Sequence, residues 1–177
     1  QISIKSALLL SDFLGNDLPK IVNEVNKLSI LLPPNSIITP DIIEENIGIS
    51  KEYNTFELTN ALINQDILKS NRIAAHFGKN PKNYPLIVTI SMLYGVFSKI
   101  MCLYFIQSSN PEVIAKELGI RSFFLKDYQV GKSKYSKRKL FQIISLLNEY
   151  DLKSKGFGNS SATDGDLLKE LIFKILH

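Results

Sequence analysis

Signals that begin and end α-helices recur along the whole sequence, and they constrain its fold more than any other feature. The pair Thr39-Pro40 predicts the start of one helix and Gly48 its end, because threonine caps helices, proline fits their first turn and glycine readily ends them. Apolar residues repeat at helical spacing in nearly every segment, whereas no run alternates apolar and polar residues as a half-buried strand would. The sequence therefore predicts an all-α fold of roughly eight or nine helices packed on one another.

The segment GNDLP, residues 15–19, separates the first two predicted helices. Gly15 can take the left-handed conformation that ends a helix. Asn16 or Asp17 can cap the next helix, with Pro19 in its first turn, where the missing amide hydrogen would have no partner anyway. We therefore expect a short hinge between two helices.

A change in composition near residue 51 predicts a domain boundary. Residues 1–51 hold three short helices with apolar faces of their own, and residues 52–177 hold a larger helical array. The sequence begins at Gln1 rather than at methionine, so we expect it to be a piece of a longer protein. It opens without the basic, apolar and small-residue pattern of a signal peptide.

The most apolar segment, residues 84–106, is long enough to cross a membrane. Lys99 lies well inside it and no second such segment exists, so the central helix of a bundle is the better interpretation and no membrane contact is expected. Cys102 is the one cysteine of the sequence, which predicts neither a disulfide framework nor a cysteine-based metal site. We therefore expect a protein of the reducing cytoplasm.

No arrangement of residues typical of an enzyme stands out. The sequence lacks a phosphate-binding glycine-rich loop of the P-loop kind. His76 and His177 are the two imidazoles, and a lone histidine on a helix is far more often structural than catalytic. Glu44 and Glu45 are adjacent, so on a helix they point about 100° apart and cannot share a substrate. We predict no catalytic residue, no cofactor and no metal.

Positive charge is concentrated in residues 120–155, which carry nine Lys or Arg and three Asp or Glu, a formal net charge of +6. Such a segment can attract phosphate backbones, although a solvated surface is an equal alternative. Phe157, between glycines and beside lysines, can stack on an unpaired base or pack onto the core. The candidate DNA contacts are Lys137, Arg138, Lys139, Lys153, Lys155 and Phe157.

Residues 110–139 also resemble a helix-turn-helix, with a short helix, a turn at Gly119 and a possible second helix. A recognition helix needs exposed polar side chains, whereas this one would present Phe123, Phe124 and Leu125, which are better suited to burial. A DNA-binding helical module therefore remains the alternative hypothesis.

Five short segments occur in a particular order along nearly the whole sequence. They are FLGNDLPKIVNEVNKL, ITPDIIEENIG, YNTFELTNAL, PEVIAKELGI and YSKRKLFQIISLLNEYDLKSKG. Each is weak alone, but together they resemble the delta subunit of the bacterial DNA polymerase III clamp loader.

The resemblance implies a longer chain with an AAA+-like domain that grips the sliding clamp, a helical lid and a helical collar. This sequence would hold most of the lid, residues 1–51, and the whole collar, residues 52–177, without the clamp-gripping domain. The family's delta subunit opens the clamp without hydrolysing ATP, and its collar joins those of the ATPase subunits and the delta-prime subunit. Primed DNA would then be able to meet the basic segment. The candidate interface residues, which could equally be buried inside the collar, are Phe56, Leu58, Leu168, Leu171, Ile172 and Ile175.

Overall fold

The protein is described by a computed structural model that covers residues 1–14, 17–48, 50, 52–159 and 161–177. These residues form ten α-helices and one 3-10 turn, and they contain no β-strand beyond an isolated bridge between Ile2 and Ile38. The all-α prediction is therefore confirmed. The chain packs as two compact units, residues 1–57 and residues 58–177.

The first unit is a small helical bundle. Its helices are α1 (Ile4–Leu14), α2 (Leu18–Leu31) and α3 (Pro40–Ile47). The buried side chains that form its core are Leu9, Leu10, Leu28, Ile38 and Ile43. Each of the three helices contributes to this core. Ile38 lies just before α3, in the position from which it can pack across the start of that helix.

The predicted hinge is described in part. Asp17 caps α2, because its carboxylate accepts a hydrogen bond from the backbone N–H of Lys20 at 3.2 Å. Gly15 and Asn16 lie outside the described residues.

At the other end of the unit, the Glu57 carboxylate lies 3.2 Å from the Lys5 ammonium. The first unit ends at Glu57, a few residues beyond the composition change near residue 51.

The second unit is larger and is built around one apolar helix. Its elements are α4 (Thr55–Ile63, which begins before the boundary), α5 (Ile67–Lys79), α6 (Leu86–Cys102), α7 (Pro111–Leu118), a 3-10 turn (Ser122–Phe124), α8 (Leu125–Lys134), α9 (Lys137–Ser154) and α10 (Asp164–Leu176). Helix α6 packs against α8, α9 and α10, and α10 also packs against α5 and α9. Leu93, Phe97 and Ile100 of α6 are fully buried. Within the described part of the chain, no helix combines the length and the apolar character that crossing a membrane requires.

Helix α8 occupies the place of the possible second helix after Gly119 and ends in the basic segment. Lys132 and Lys134 end α8, whereas Lys137 and Lys139 begin α9. Gly131 is buried, and a β-carbon there would lie 2.6 Å from the Cδ1 atom of Ile100. The glycine that weakens the local helix signal therefore lets α8 approach α6 closely.

Candidate functional site

Five of the six predicted interface residues lie in the core of the second unit. Leu58, Leu171, Ile172 and Ile175 have no exposed surface, and Leu168 exposes 2%. The apolar face of α10 is covered by α5 and α9 of the same unit. Of the two alternatives for these five side chains, burial inside the chain therefore holds, and a surface that contacts a partner would not include them. The sixth, Phe56, is half-buried and stays a prediction.

An apolar groove of about 570 Å³ runs between α9 and α10. Phe141 of α9 and Phe173 of α10 line it and expose 68% and 59% of their surface. Lys139, Glu149 and His177 add polar groups to the lining. Large exposed apolar side chains rimmed by charged ones are typical of surfaces that bind another protein.

The six predicted DNA contacts fall into two groups at opposite ends of α9. Lys137, Arg138 and Lys139 occupy its first turn, whereas Lys153 is in its last turn, followed by Lys155 and Phe157. At a rise of 1.5 Å per residue, the two groups are about 24 Å apart along the helix. The structure therefore places three of the six predicted DNA contacts at each end of α9. The two groups are too far apart to act as one compact site.

The group at the start of α9 belongs to a larger cluster that we call the basic corner. Its members are Tyr104, Phe105, Lys132, Lys134, Lys137, Arg138 and Lys139. Lys132 donates to the backbone carbonyl of Leu103 at 2.9 Å, and Lys139 donates to that of Lys174 at 3.2 Å. These carbonyls lie at the C-terminal ends of α6 and α10, where a cation offsets the negative end of the helix dipole. Part of the basic charge thus stabilises helix ends.

Two aromatic side chains, Tyr104 and Phe105, contact the backbone and a cation of the basic corner. The hydroxyl of Tyr104 lies 2.9 Å from the carbonyl of Lys132 and 2.8 Å from that of Tyr135, on either side of the turn between α8 and α9. The Lys137 ammonium lies 4.8 Å from the ring centre of Phe105, a cation–π contact. Phe105 exposes 67% of its surface. Sequence reasoning missed it, because it reads as the end of the apolar run over residues 84–106.

The group at the end of α9 has less free charge. Phe157 exposes 67% of its surface, so it does not pack onto the core. Lys153 pairs with Glu149 at 2.6 Å, and Lys155 pairs with Asp151 at 2.5 Å. The glycines on both sides of Phe157 adopt positive φ, which favours glycine. Phe157 is therefore presented to solvent beside cations that already have carboxylate partners.

The described residues contain no group of three His, Cys, Asp or Glu side chains placed to hold a metal ion. His76 is half-buried and packs edge-on against Tyr84, with their ring centres 5.6 Å apart. This contact accounts for its place on α5 as a packing residue. The groove and the basic corner are surfaces suited to binding.

The architecture of the chain, helices packed on helices, belongs to the class of all-α folds. The chain is similar in structure to the DNA clamp loader delta protein (YqeN) of Bacillus subtilis, with a TM-score of 0.68 and 24% sequence identity. The likeness covers 99% of this chain and 51% of that one, so the chain spans about half the length of the solved protein. Neither a family model nor a curated protein matches the sequence. The likeness confirms, at the level of the fold, the resemblance indicated by the five ordered segments.

Proposed function

We propose that this chain is the helical part of a delta-type subunit of a clamp loader and that it acts in assembly rather than in catalysis. In this proposal residues 1–51 are a lid-like bundle and residues 52–177 are a collar that joins the ATPase subunits and the delta-prime subunit. The loader would then open the sliding clamp and load it on primed DNA in the cytoplasm. The clamp would be gripped by a domain outside this sequence. The likeness in fold to the B. subtilis protein, which extends over nearly the whole chain, carries the proposal.

The groove between α9 and α10 is the surface that best suits contact with a neighbouring subunit. The predicted interface residues on α10 are buried, but Phe173 lies on the same helix and is exposed. Phe141 stands across from it on α9. An apolar centre with a polar rim allows desolvation of the centre while the rim stays hydrated, as in other protein interfaces.

A helix-turn-helix module over residues 110–139 has less support. Helix α8 does expose Lys126 and Gln129, as a recognition helix would. However, Leu125 is buried in a cluster with Ile114, and Gly131 is buried against α6. A helix of ten residues that is anchored on one side leaves few side chains for reading base edges.

The assembly proposal is tested by size-exclusion chromatography with light scattering. The chain is mixed with the clamp-loader ATPase subunit and the delta-prime subunit of the same organism. We expect a mixed complex that survives high salt, because an apolar contact is not screened by ions whereas contacts between exposed charges are. A Phe141→Ser, Phe173→Ser double variant should weaken the complex at least tenfold, as loss of two buried aromatic anchors does.

The matched control is Phe123→Ser, which removes an equally exposed phenylalanine from a different surface, near the start of α8. It should assemble as the unmodified chain does. If the chain forms no mixed complex, the proposed function is wrong. If the complex forms but the groove variant assembles normally, the groove is not its interface.

A further inference from the structure

We propose that the basic corner binds an unpaired nucleic-acid strand. Phe105 is the platform on which one base stacks, and Lys137, which lies over its ring, contacts the phosphate beside that base. Arg138 points about 100° away from Lys137 on α9 and contacts a different phosphate of the same strand. The proposal depends on the geometry of this corner alone. It does not require the chain to assemble with other subunits.

Phe105 is held facing solvent by its neighbours along the chain. Leu103 is buried, and Ile106 packs against the same small apolar cluster. The backbone N–H of Phe105 donates to the carbonyl of Cys102 at 2.9 Å, which closes a turn at the end of α6. The backbone that carries the ring is therefore ordered before any ligand arrives, and no backbone entropy has to be lost there when a base stacks.

The charges around this ring suit a polyanion. Lys137 lies over the ring, and neither Lys137 nor Arg138 forms an ion pair with a carboxylate within the described residues. No Asp or Glu occurs in the sequence between Asp127 and Glu149. A phosphate backbone would therefore meet cations without having to displace acidic side chains.

The exposed ring favours an unpaired strand over other polyanions. An acidic peptide or a duplex would satisfy the lysines but would leave the exposed part of the Phe105 ring, beyond the contact with Lys137, without a partner. In a duplex, paired bases are already stacked on one another. Bases in a single strand have free π-faces, and aromatic rings beside cations are the usual way in which proteins hold them. The corner thus has both elements that such a site needs.

A comparison within the chain singles out this corner. Phe105 and Phe157 are each 67% exposed. The lysines beside Phe157 pair with Asp151 and Glu149, whereas Lys137 pairs with the ring of Phe105 itself. In the described part of the chain, the cation beside Phe105 is therefore free of carboxylate partners, whereas those beside Phe157 are not.

The test is fluorescence anisotropy of a labelled oligo-thymidine of about ten nucleotides, within the usual site size of such proteins, titrated with the full chain. We expect binding that weakens with salt. Phe105→Ala should weaken it about tenfold, which is the loss expected from one stacked base. Phe105→Trp should restore it, whereas Phe123→Ala, at an equally exposed phenylalanine before the start of α8, should bind as the unmodified chain. Circular dichroism melting checks that each variant is folded.

Charge is tested separately from stacking. In the Lys137→Gln, Arg138→Gln double variant, the slope of log K against log salt concentration should become shallower by about 1.4, because two fewer counterions are released. A duplex of the same length and polyglutamate are the competitors. Both should displace the labelled strand less well than unlabelled oligo-thymidine.

Three results would overturn the proposal. One is the absence of binding to oligo-thymidine at low salt. Another is a loss with Phe105→Ala that is no larger than the loss with Phe123→Ala. The third is equal competition by polyglutamate, which would make the corner a general anion-binding surface. Since the assay contains no other subunit, each result is independent of whether the assembly proposal holds.

Discussion

Tyr135 shows how one residue can fix the position of a functional surface. It lies between α8 and α9 and is 1% exposed. Its hydroxyl donates to the carbonyl of Leu62 at 2.5 Å, and its ring meets that of Phe97 edge to face, with centres 5.5 Å apart. The turn that carries the basic corner is thereby tied to the ends of α4 and α6.

Replacing Tyr135 with Phe removes the hydroxyl and leaves the Leu62 carbonyl without its partner. We expect the free energy of unfolding to fall by about 1–2 kcal/mol at neutral pH, as for other buried hydrogen bonds. Urea denaturation followed by circular dichroism measures this change. Tyr94→Phe, on the exposed side of α6, is the control and should leave the stability unchanged.

Tyr135→Phe should also change how the free energy of unfolding depends on pH in the alkaline range. Burial raises the pKa of Tyr135 from 10 to about 12 in the folded chain. The folded state therefore favours the protonated phenol, so the resulting stability is complete below pH 10 and is lost as the pH rises towards 12, by up to about 1.4 kcal/mol per pH unit. Tyr135→Phe should lose less stability than the unmodified chain over this interval. Equal losses would show that the phenol is not protected in the folded state.

Sequence reasoning at the residue scale identified buried faces but not what buries them. The spacing of Leu168, Leu171 and Ile175 correctly indicated a face that needs a partner. A partner helix in the same chain and one in another subunit satisfy that spacing equally. The spacing therefore could not reveal that α5 and α9 cover this face of α10. The exposure of Phe105 could not be predicted either. An exposed ring at the end of an apolar helix has the same sequence pattern as a buried one.

At the scale of elements, helix ends were predictable wherever local chemistry sets them. Asn110 caps α7 by accepting from the N–H of Glu112 at 2.9 Å, and Gly119 ends it with φ at +61°. Both were recognisable as a cap and a stop signal. Helix α8 was indicated only as a possible second helix, and the close approach of Gly131 to Ile100 of α6 was not recognisable. Such a contact between elements distant in sequence leaves no local trace.

A second close approach, between α5 and α10, gives a prediction about packing. A β-carbon at Gly165 would lie 2.8 Å from the Cα atom of Gly78, a backbone atom that cannot move aside alone. Gly165→Ala should therefore force the helices apart and lower the free energy of unfolding by about 1–3 kcal/mol. Chemical denaturation measures the change.

The control for this packing prediction is Gly95→Ala in α6. No atom lies within 4 Å of a β-carbon at Gly95, and alanine favours the helix over glycine, so this variant should gain up to about 1 kcal/mol. A neutral Gly165→Ala variant would contradict the close crossing of α5 and α10.

At the scale of the whole molecule, the two compact units differ in how much core each can bury. Among the described residues of 1–57, five buried apolar side chains form the core, whereas residues 58–177 surround α6 with several helices. Smaller units bury a smaller share of their surface and are correspondingly less stable.

Native-state hydrogen exchange should therefore report two levels of protection along the intact chain. We expect the amides of α2 to exchange through a low-energy opening, and those of α6, α9 and α10 to exchange only near global unfolding, because protection follows the density of buried contacts around each helix. The measurement is exchange at increasing, sub-denaturing urea, with a separate opening free energy for each helix. Equal free energies for α2 and α9 at every urea concentration would mean that the chain opens as one cooperative body. A lower value for α2 would mean that the first unit can open while the groove and the basic corner stay folded.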